Sequence, residues 1–206
     1  KKQEGSYFDS SILYSFSYDK RNQPYKPTSG YLSRFTQSLP LVSDGSPILN
    51  GYELNTYREI SDEMIFSFSL YGRSINSLTD DDVRISKRLF LPSSKLRGFE
   101  AGKIGPKDSD DYIGGNYATA INAATTVPYI FQTLETMDMV MFLDAANVWG
   151  VDYSDTIDDS DKIRSSFGVA VDWYTVIGPV NFSLAQPISK ASTDKTESFR
   201  FQIGTT

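Results

Sequence analysis

The sequence predicts an all-β fold, an antiparallel transmembrane β-barrel segment of about nine strands. Three observations carry that prediction. The first is alternation with two different outsides. Residues 163–174 set Ile163, Phe167, Val169, Val171 and Trp173 against Arg164, Ser166, Gly168, Ala170 and Asp172. Residues 197–206 set Phe199, Phe201 and Ile203 against Arg200, Gln202 and Gly204. A barrel turns such an apolar face to lipid and keeps the polar face for a wet lumen. A soluble β-sandwich would bury the same face against a second layer, and patterning alone leaves both architectures open. The second observation is composition: aromatics reach 14%, with 13 Tyr and 13 Phe, as suits β-structure and the aromatic girdles of barrels. The third is that short turns alternate with long polar loops, as in outer-membrane barrels.

Nine segments show the period of two. The first places Ile12, Tyr14, Phe16 and Tyr18 against Leu13, Ser15, Ser17 and Asp19. The second, about 31–39, alternates weakly. The third places Tyr52 and Leu54 opposite Glu53, Asn55 and Glu59, and the fourth sets Met64, Phe66, Phe68 and Leu70 against Ser67, Ser69 and Tyr71. After a long polar stretch the fifth, about 116–127, shows Tyr117, Ile121 and Val127 on one face. The sixth sets Met137, Met139, Met141 and Leu143 against Asp138, Phe142 and Asp144. Segment 163–174 is the seventh, Val180, Phe182 and Leu184 mark the eighth, and 198–206 is the ninth. Each approximates the ~9–11 residues of a tilted membrane strand, or falls slightly short. Turns at 59–62, 128–136 and 175–179 are short to moderate. Loops 74–115, 149–162 and 188–197 are longer and rich in Asp, Ser, Lys and Gly. Connection 18–31 exceeds the rule, but Pro24, Pro27 and Gly30 make it a rigid turn. Nine is an odd number where single-chain bacterial barrels have an even one, so further strands are expected before residue 1.

Composition excludes several chemistries. There is no Cys and no His, which removes thiol nucleophiles, thiolate metal sites and a histidine base. A net charge of −6 argues against nucleic acid, whose phosphates need a concentrated basic face. No apolar run approaches the ~18–20 residues of a membrane helix. Acidic clusters at Asp80-Asp81-Asp82, at Asp108 with Asp110-Asp111, and from Asp152 to Asp161 read as solvated loop charge. The last lacks the Gly and closing Glu of an EF-hand. No catalytic residue, cofactor or metal is expected, and the chain is read as no enzyme.

Residues 88–99 read Arg88-Leu89-Phe90-Leu91-Pro92-Ser93-Ser94-Lys95-Leu96-Arg97-Gly98-Phe99. In order after them come Ile104-Gly105-Pro106-Lys107-Asp108, Gly114-Gly115-Asn116, Phe142 through Trp149, Gly178-Pro179-Val180-Asn181-Phe182, and Phe199 through Thr205. Upstream stand Ser17-Tyr18-Asp19 and Pro27-Thr28-Ser29-Gly30-Tyr31. The quartet Leu96, Arg97, Gly98 and Phe99 and this ordered set resemble the BamA superfamily of barrel-assembly and polypeptide-transport proteins, and its assembly branch in particular. Leu96 replaces the usual Val, and the chain stops at Thr206 where the family ends in an aromatic residue.

The resemblance implies the C-terminal portion, 1–206, of one sixteen-strand barrel domain, without the family's periplasmic domains, in the bacterial outer membrane. It implies outer-membrane lipid, nascent β-barrel clients and accessory lipoproteins of an assembly complex as partners. A polypeptide secretion pore of the same superfamily is the alternative, and a soluble β-sandwich binding domain a further one. Loop 74–115 is expected to fold inward. Arg97, beside the flexible Gly98, could then reach Phe142 and Asp144, which share the lumen face of the sixth segment if the Met face meets lipid. The pairing would join a charge-assisted hydrogen bond to a cation–π contact. The resemblance implies the same contact, whereas a bland reading has Arg97 capping a surface turn. The last strand, with Phe199, Phe201, Ile203 and Gly204, is implied to form one side of a lateral gate and to serve as the protein's own assembly signal. Gly204, with no side chain to pack, should let its end bend away.

Overall fold

The computed structural model describes residues 8–43, 46–61, 64–127, 136–154, 156–157, 162–176 and 178–203. Its strands, in chain order, are β1 (Asp9–Asp19), β2 (Gly30–Ser43), β3 (Pro47–Ser61), β4 (Met64–Ser77), β5 (Lys107–Asp108), β6 (Asp111–Tyr112), β7 (Tyr117–Val127), β8 (Met137–Trp149), β9 (Arg164–Thr175), β10 (Gly178–Ser189) and β11 (Phe199–Ile203). Nine of them form one sheet, β1-β2-β3-β4-β7-β8-β9-β10-β11, with β1 and β11 at its edges. Every pairing is antiparallel between strands consecutive along that order. The remaining two, β5 and β6, make a small ribbon inside the connection from β4 to β7.

The register sorts side chains into two faces, because directly opposed residues point the same way. One row runs Phe66, Thr125, Met141, Val169, Leu184, Phe199 across β4 to β11. Phe66, Met141, Leu184 and Phe199 in it are all exposed. The row on the opposite face runs Asn55, Ser69, Asn122, Asp144, Ser166, and there Asp144 and Ser166 are fully buried. A soluble sandwich covers its apolar face. This sheet leaves the apolar face open and covers the polar one, the inside-out order of a membrane barrel.

The covering element is the β4–β7 connection. The sequence reads this stretch as polar, yet it supplies half of the larger core cluster: Val83, Leu89, Leu91, Leu96, Phe99 and Ile104 pack on Tyr71, Ile75, Ala118, Ala120, Ala146 and Val148 of the wall. Three alanines in that wall let the loop backbone approach closely. Burying Leu96 and Phe99 stabilises the docked loop by about 1.5–3 kcal/mol each. Single 3₁₀ turns at Ile85–Lys87 and Ser93–Lys95 tighten the path, and Leu89 bridges Gly115 at the loop's neck.

Two sequence expectations need correction. The weak second segment is not short: β2 continues to Ser43 and β3 begins at Pro47. Their connection is therefore tight although it lies at the end that carries the long loops, and the length alternation fails there. The strands extend further because Leu39 and Leu41 on one side and Ile48 on the other keep the outer face apolar past the expected stop. Connection 20–29 lies at the opposite end and is well braced. The Asn22 side-chain carbonyl accepts from the backbone N–H groups of Thr28 (3.1 Å) and Ser29 (3.3 Å). Lys26 reaches Asp138 of β8 at 2.6 Å. Turn 128–135 and Gly204 lie outside the described residues, as does part of loop 149–162.

Candidate functional site

Asp144 sits in the middle of β8 at 0% exposure. Period-two alternation aims it and Phe142 inward, while Met141 and Leu143 face out. Arg97 of the loop comes down onto this pair. Its Nε donates to Oδ2 of Asp144 at 2.8 Å, its Nη2 to Oδ1 at 2.7 Å, and its backbone N–H to Oδ2 at 3.1 Å. The guanidinium carbon lies 3.3 Å from the centroid of the Phe142 ring. A fork-to-fork ion pair and a stacked cation are thus made by one side chain, and the planar guanidinium alone can do both.

Further residues complete the site, and sequence reasoning missed them. Asn122 of β7 donates to Asp144 Oδ1 (2.9 Å) and to the Lys95 carbonyl (2.8 Å). Ser166 of β9 donates to the Arg97 carbonyl at 2.5 Å. Both stand directly opposite Asp144 in the register. Polar residues at lumen positions of otherwise apolar strands are a usable signal, once the register is known. Gly98 has φ +88°, and a Cβ there would stand 3.1 Å from the Ala185 Cβ and 3.3 Å from the Ser166 Cβ. The quartet needs glycine at this position for both conformation and space. Leu96 and Phe99 flank it as buried apolar anchors.

Beyond Gly98 the loop is stitched to the segment leading into β11. Phe99 bridges Thr196. Glu197 N–H donates to the Gly98 carbonyl (3.1 Å), Glu100 N–H to Lys195 (3.0 Å) and Lys195 N–H to Lys103 (3.1 Å). The Tyr112 hydroxyl donates to the Thr193 carbonyl. Burial pushes that phenol above its ordinary range, helped by the nearby charges of Asp194 and Glu100. A buried pair fixes the same rim: Arg164 meets Asp194 at 3.0 Å and also donates to the Asn147 side chain at 2.6 Å. On β11, Phe199, Phe201 and Ile203 point outward and Arg200 and Gln202 inward. The structure thus brings Arg97, Phe142 and Asp144 into contact. Phe199, Phe201 and Ile203 lie on the other side of the sheet from them.

A polar-lined interior closed by an inward loop, inside an apolar-faced antiparallel sheet, defines a membrane β-barrel protein whose lumen holds its own loop. The Omp85 superfamily domain matches residues 1–206, so the chain belongs to the Omp85 superfamily. It is 24% identical over 208 residues to the outer membrane protein assembly factor BamA of Neorickettsia risticii, covering 98% of this chain and 28% of that protein. It is 31% identical over 138 residues to the factor of the same name from Neisseria meningitidis, covering 54% of this chain and 17% of that one. A human sorting and assembly machinery component 50 homolog is 28% identical over 170 residues, 75% of this chain and 35% of the relative. The chain therefore spans about a third or less of these curated relatives. Among solved structures, it matches the crystal structure of BamA from Haemophilus ducreyi lacking POTRA domains 1-3, with a TM-score of 0.84 and 27% identity. That match covers 93% of this chain and 41% of the other.

Proposed function

We propose that this chain is the C-terminal part of the membrane barrel of an outer-membrane protein assembly factor, and that it inserts nascent β-barrel proteins through a gate bordered by β11. The single observation that carries the reading is the Arg97–Asp144–Phe142 lock, which seats a loop in the lumen right beside the last strand of the sheet. Among the described residues β11 pairs with β10 over Phe199–Ile203, and it stands last in the order of the sheet. Such an edge offers a ladder of backbone donors and acceptors to which a client strand can add. The relatives named as assembly factors support the same reading.

Orientation follows from the loops: those after β4, β8 and β10 face outside the cell, and the turn holding Gln23 faces the periplasm. Cysteine at Asp81 or Lys190 in the intact protein should react with an impermeant maleimide on whole cells, and cysteine at Gln23 should not. Labelling at Gln23 with both others silent would reverse the topology.

The gate is tested by a disulfide between β11 and the strand that meets its free edge in the intact barrel. Oxidation should stop client insertion, and reduction should restore it. Insertion at the normal rate with the seam closed would rule this mechanism out.

A further inference from the structure

We propose that Arg200 is a latch that fastens the lumen loop to the last strand, so that the loop's docking and the release of β11 are one coupled equilibrium. The proposal rests on the gate reading above and adds to it a positioning residue on β11 itself. Arg200 occupies an inward position of β11 and opposes Ser183 of β10. Its guanidinium is largely buried, with a side-chain exposure of 12%. Nη1 donates to the Ser93 carbonyl at 2.6 Å, and Nη2 donates to the Phe99 carbonyl and to Glu197 Oε2, the latter at 2.7 Å. Nε donates to the same Glu197 oxygen at 2.9 Å.

Four hydrogen bonds therefore leave one side chain of the last strand, and two of them end on loop carbonyls, Ser93 three residues before the Leu96–Phe99 quartet and Phe99 at its end. Glu197 sets the orientation of the fork and balances its charge, while its own backbone N–H holds the Gly98 carbonyl. The loop is thus clamped at two points. Arg97 ties it to the wall at β8, and Arg200 ties it to the movable edge. These clamps share one short, well-packed piece of chain, so they reinforce each other. For β11 to swing away from the lumen loop when the seam at its free edge opens, Arg200 must leave both carbonyls, which then lose charge-assisted partners in a poorly hydrated place. Conversely, a loop displaced from Asp144 takes Ser93 and Phe99 away from Arg200 and leaves β11 without its fastening on the lumen side.

The test is hydrogen exchange on the intact protein in lipid nanodiscs, comparing parent, Arg200→Gln and Arg97→Ala. Arg200→Gln should speed exchange at least about tenfold both in β11 and in loop residues 93–103, with β2 and β3 unchanged. That factor corresponds to about 1.4 kcal/mol, the loss expected for charge-assisted bonds in part replaced by an amide. Arg97→Ala, at a side chain that among the described residues makes no hydrogen bond to β11, should speed exchange in β11 as well. Exchange raised in β11 alone by the first variant, or in the loop alone by the second, would show two independent clamps and overturn the latch. Unchanged exchange in both segments would do the same. The seam disulfide tests passage of clients separately: should insertion continue with the seam closed, the gate reading fails while a coupled exchange result still stands.

Discussion

Arg97→Ala is expected to release the lumen loop and to cost more than Asp144→Ala, although both break the same pair. Removing Arg97 strands a carboxylate at 0% exposure with only Asn122 and one backbone N–H left to satisfy it, a loss of about 3–5 kcal/mol. Removing Asp144 strands a guanidinium whose side chain is still 17% exposed and can turn toward water, so about 1–3 kcal/mol should be lost. Arg97→Lys should fall between them, since an ammonium cannot span both carboxylate oxygens while lying flat on Phe142. Exchange free energies of loop amides such as Leu89 and Glu100 measure each effect. In the double variant the losses should fall short of the sum by more than about 1 kcal/mol. Additive losses would mean that the contact contributes nothing of its own.

Gly168→Ala should destabilise the whole sheet. A methyl group there would lie 2.1 Å from the Leu184 carbonyl oxygen and 2.6 Å from Cζ of Phe142. Neither neighbour can give way: one is the backbone of the paired strand β10, and the other is the ring that supports Arg97. Forcing them apart costs about 1–3 kcal/mol or more, and it should loosen the Arg97 lock at the same time. Gly72→Ala is the matched control, since nothing lies within 4 Å of its added carbon. Thermal unfolding followed on unboiled gels should drop sharply for the first and hardly at all for the second. Equal unfolding temperatures for Gly168→Ala and the parent would contradict the packing described for Phe142.

Much of this architecture was legible because lipid makes one face of each strand uniform. Met137 to Leu143 and Phe199 to Ile203 announce their outward side with no knowledge of their neighbours. Arg97, Phe142 and Asp144 could be brought together because alternation aims the last two inward and Gly98 marks a loop able to fold. The lumen side is harder to read. Asn122, Ser166 and Arg200 act on the loop through its backbone carbonyls, and no residue type at the accepting end betrays that. The loop's apolar residues were hidden for another reason. Leu89, Leu91, Leu96 and Phe99 are spaced for an irregular path, so neither a period of two nor one of 3.6 reveals their shared burial. The length of β2 is hard to read as well, because the strand carries Ser33 and Gln37 on its outer face and its alternation fades.

The placement of the core has a consequence for the order of folding. In this chain the apolar centre belongs to a connection whose polar anchors are supplied later in the sequence: Asp144 is 47 residues beyond Arg97, Ser166 is 69, and Arg200 is 107 beyond Ser93. Contacts so distant form late, since the intervening chain must be ordered before they add stability. The loop's full set of contacts exists once β7 to β11 have paired, so its docking is expected to be a late step. An incomplete sheet therefore keeps Leu96 and Phe99 on display, and only a finished wall hides them. The time at which those two side chains disappear from solvent is a clock for completion of the wall from β7 to β11.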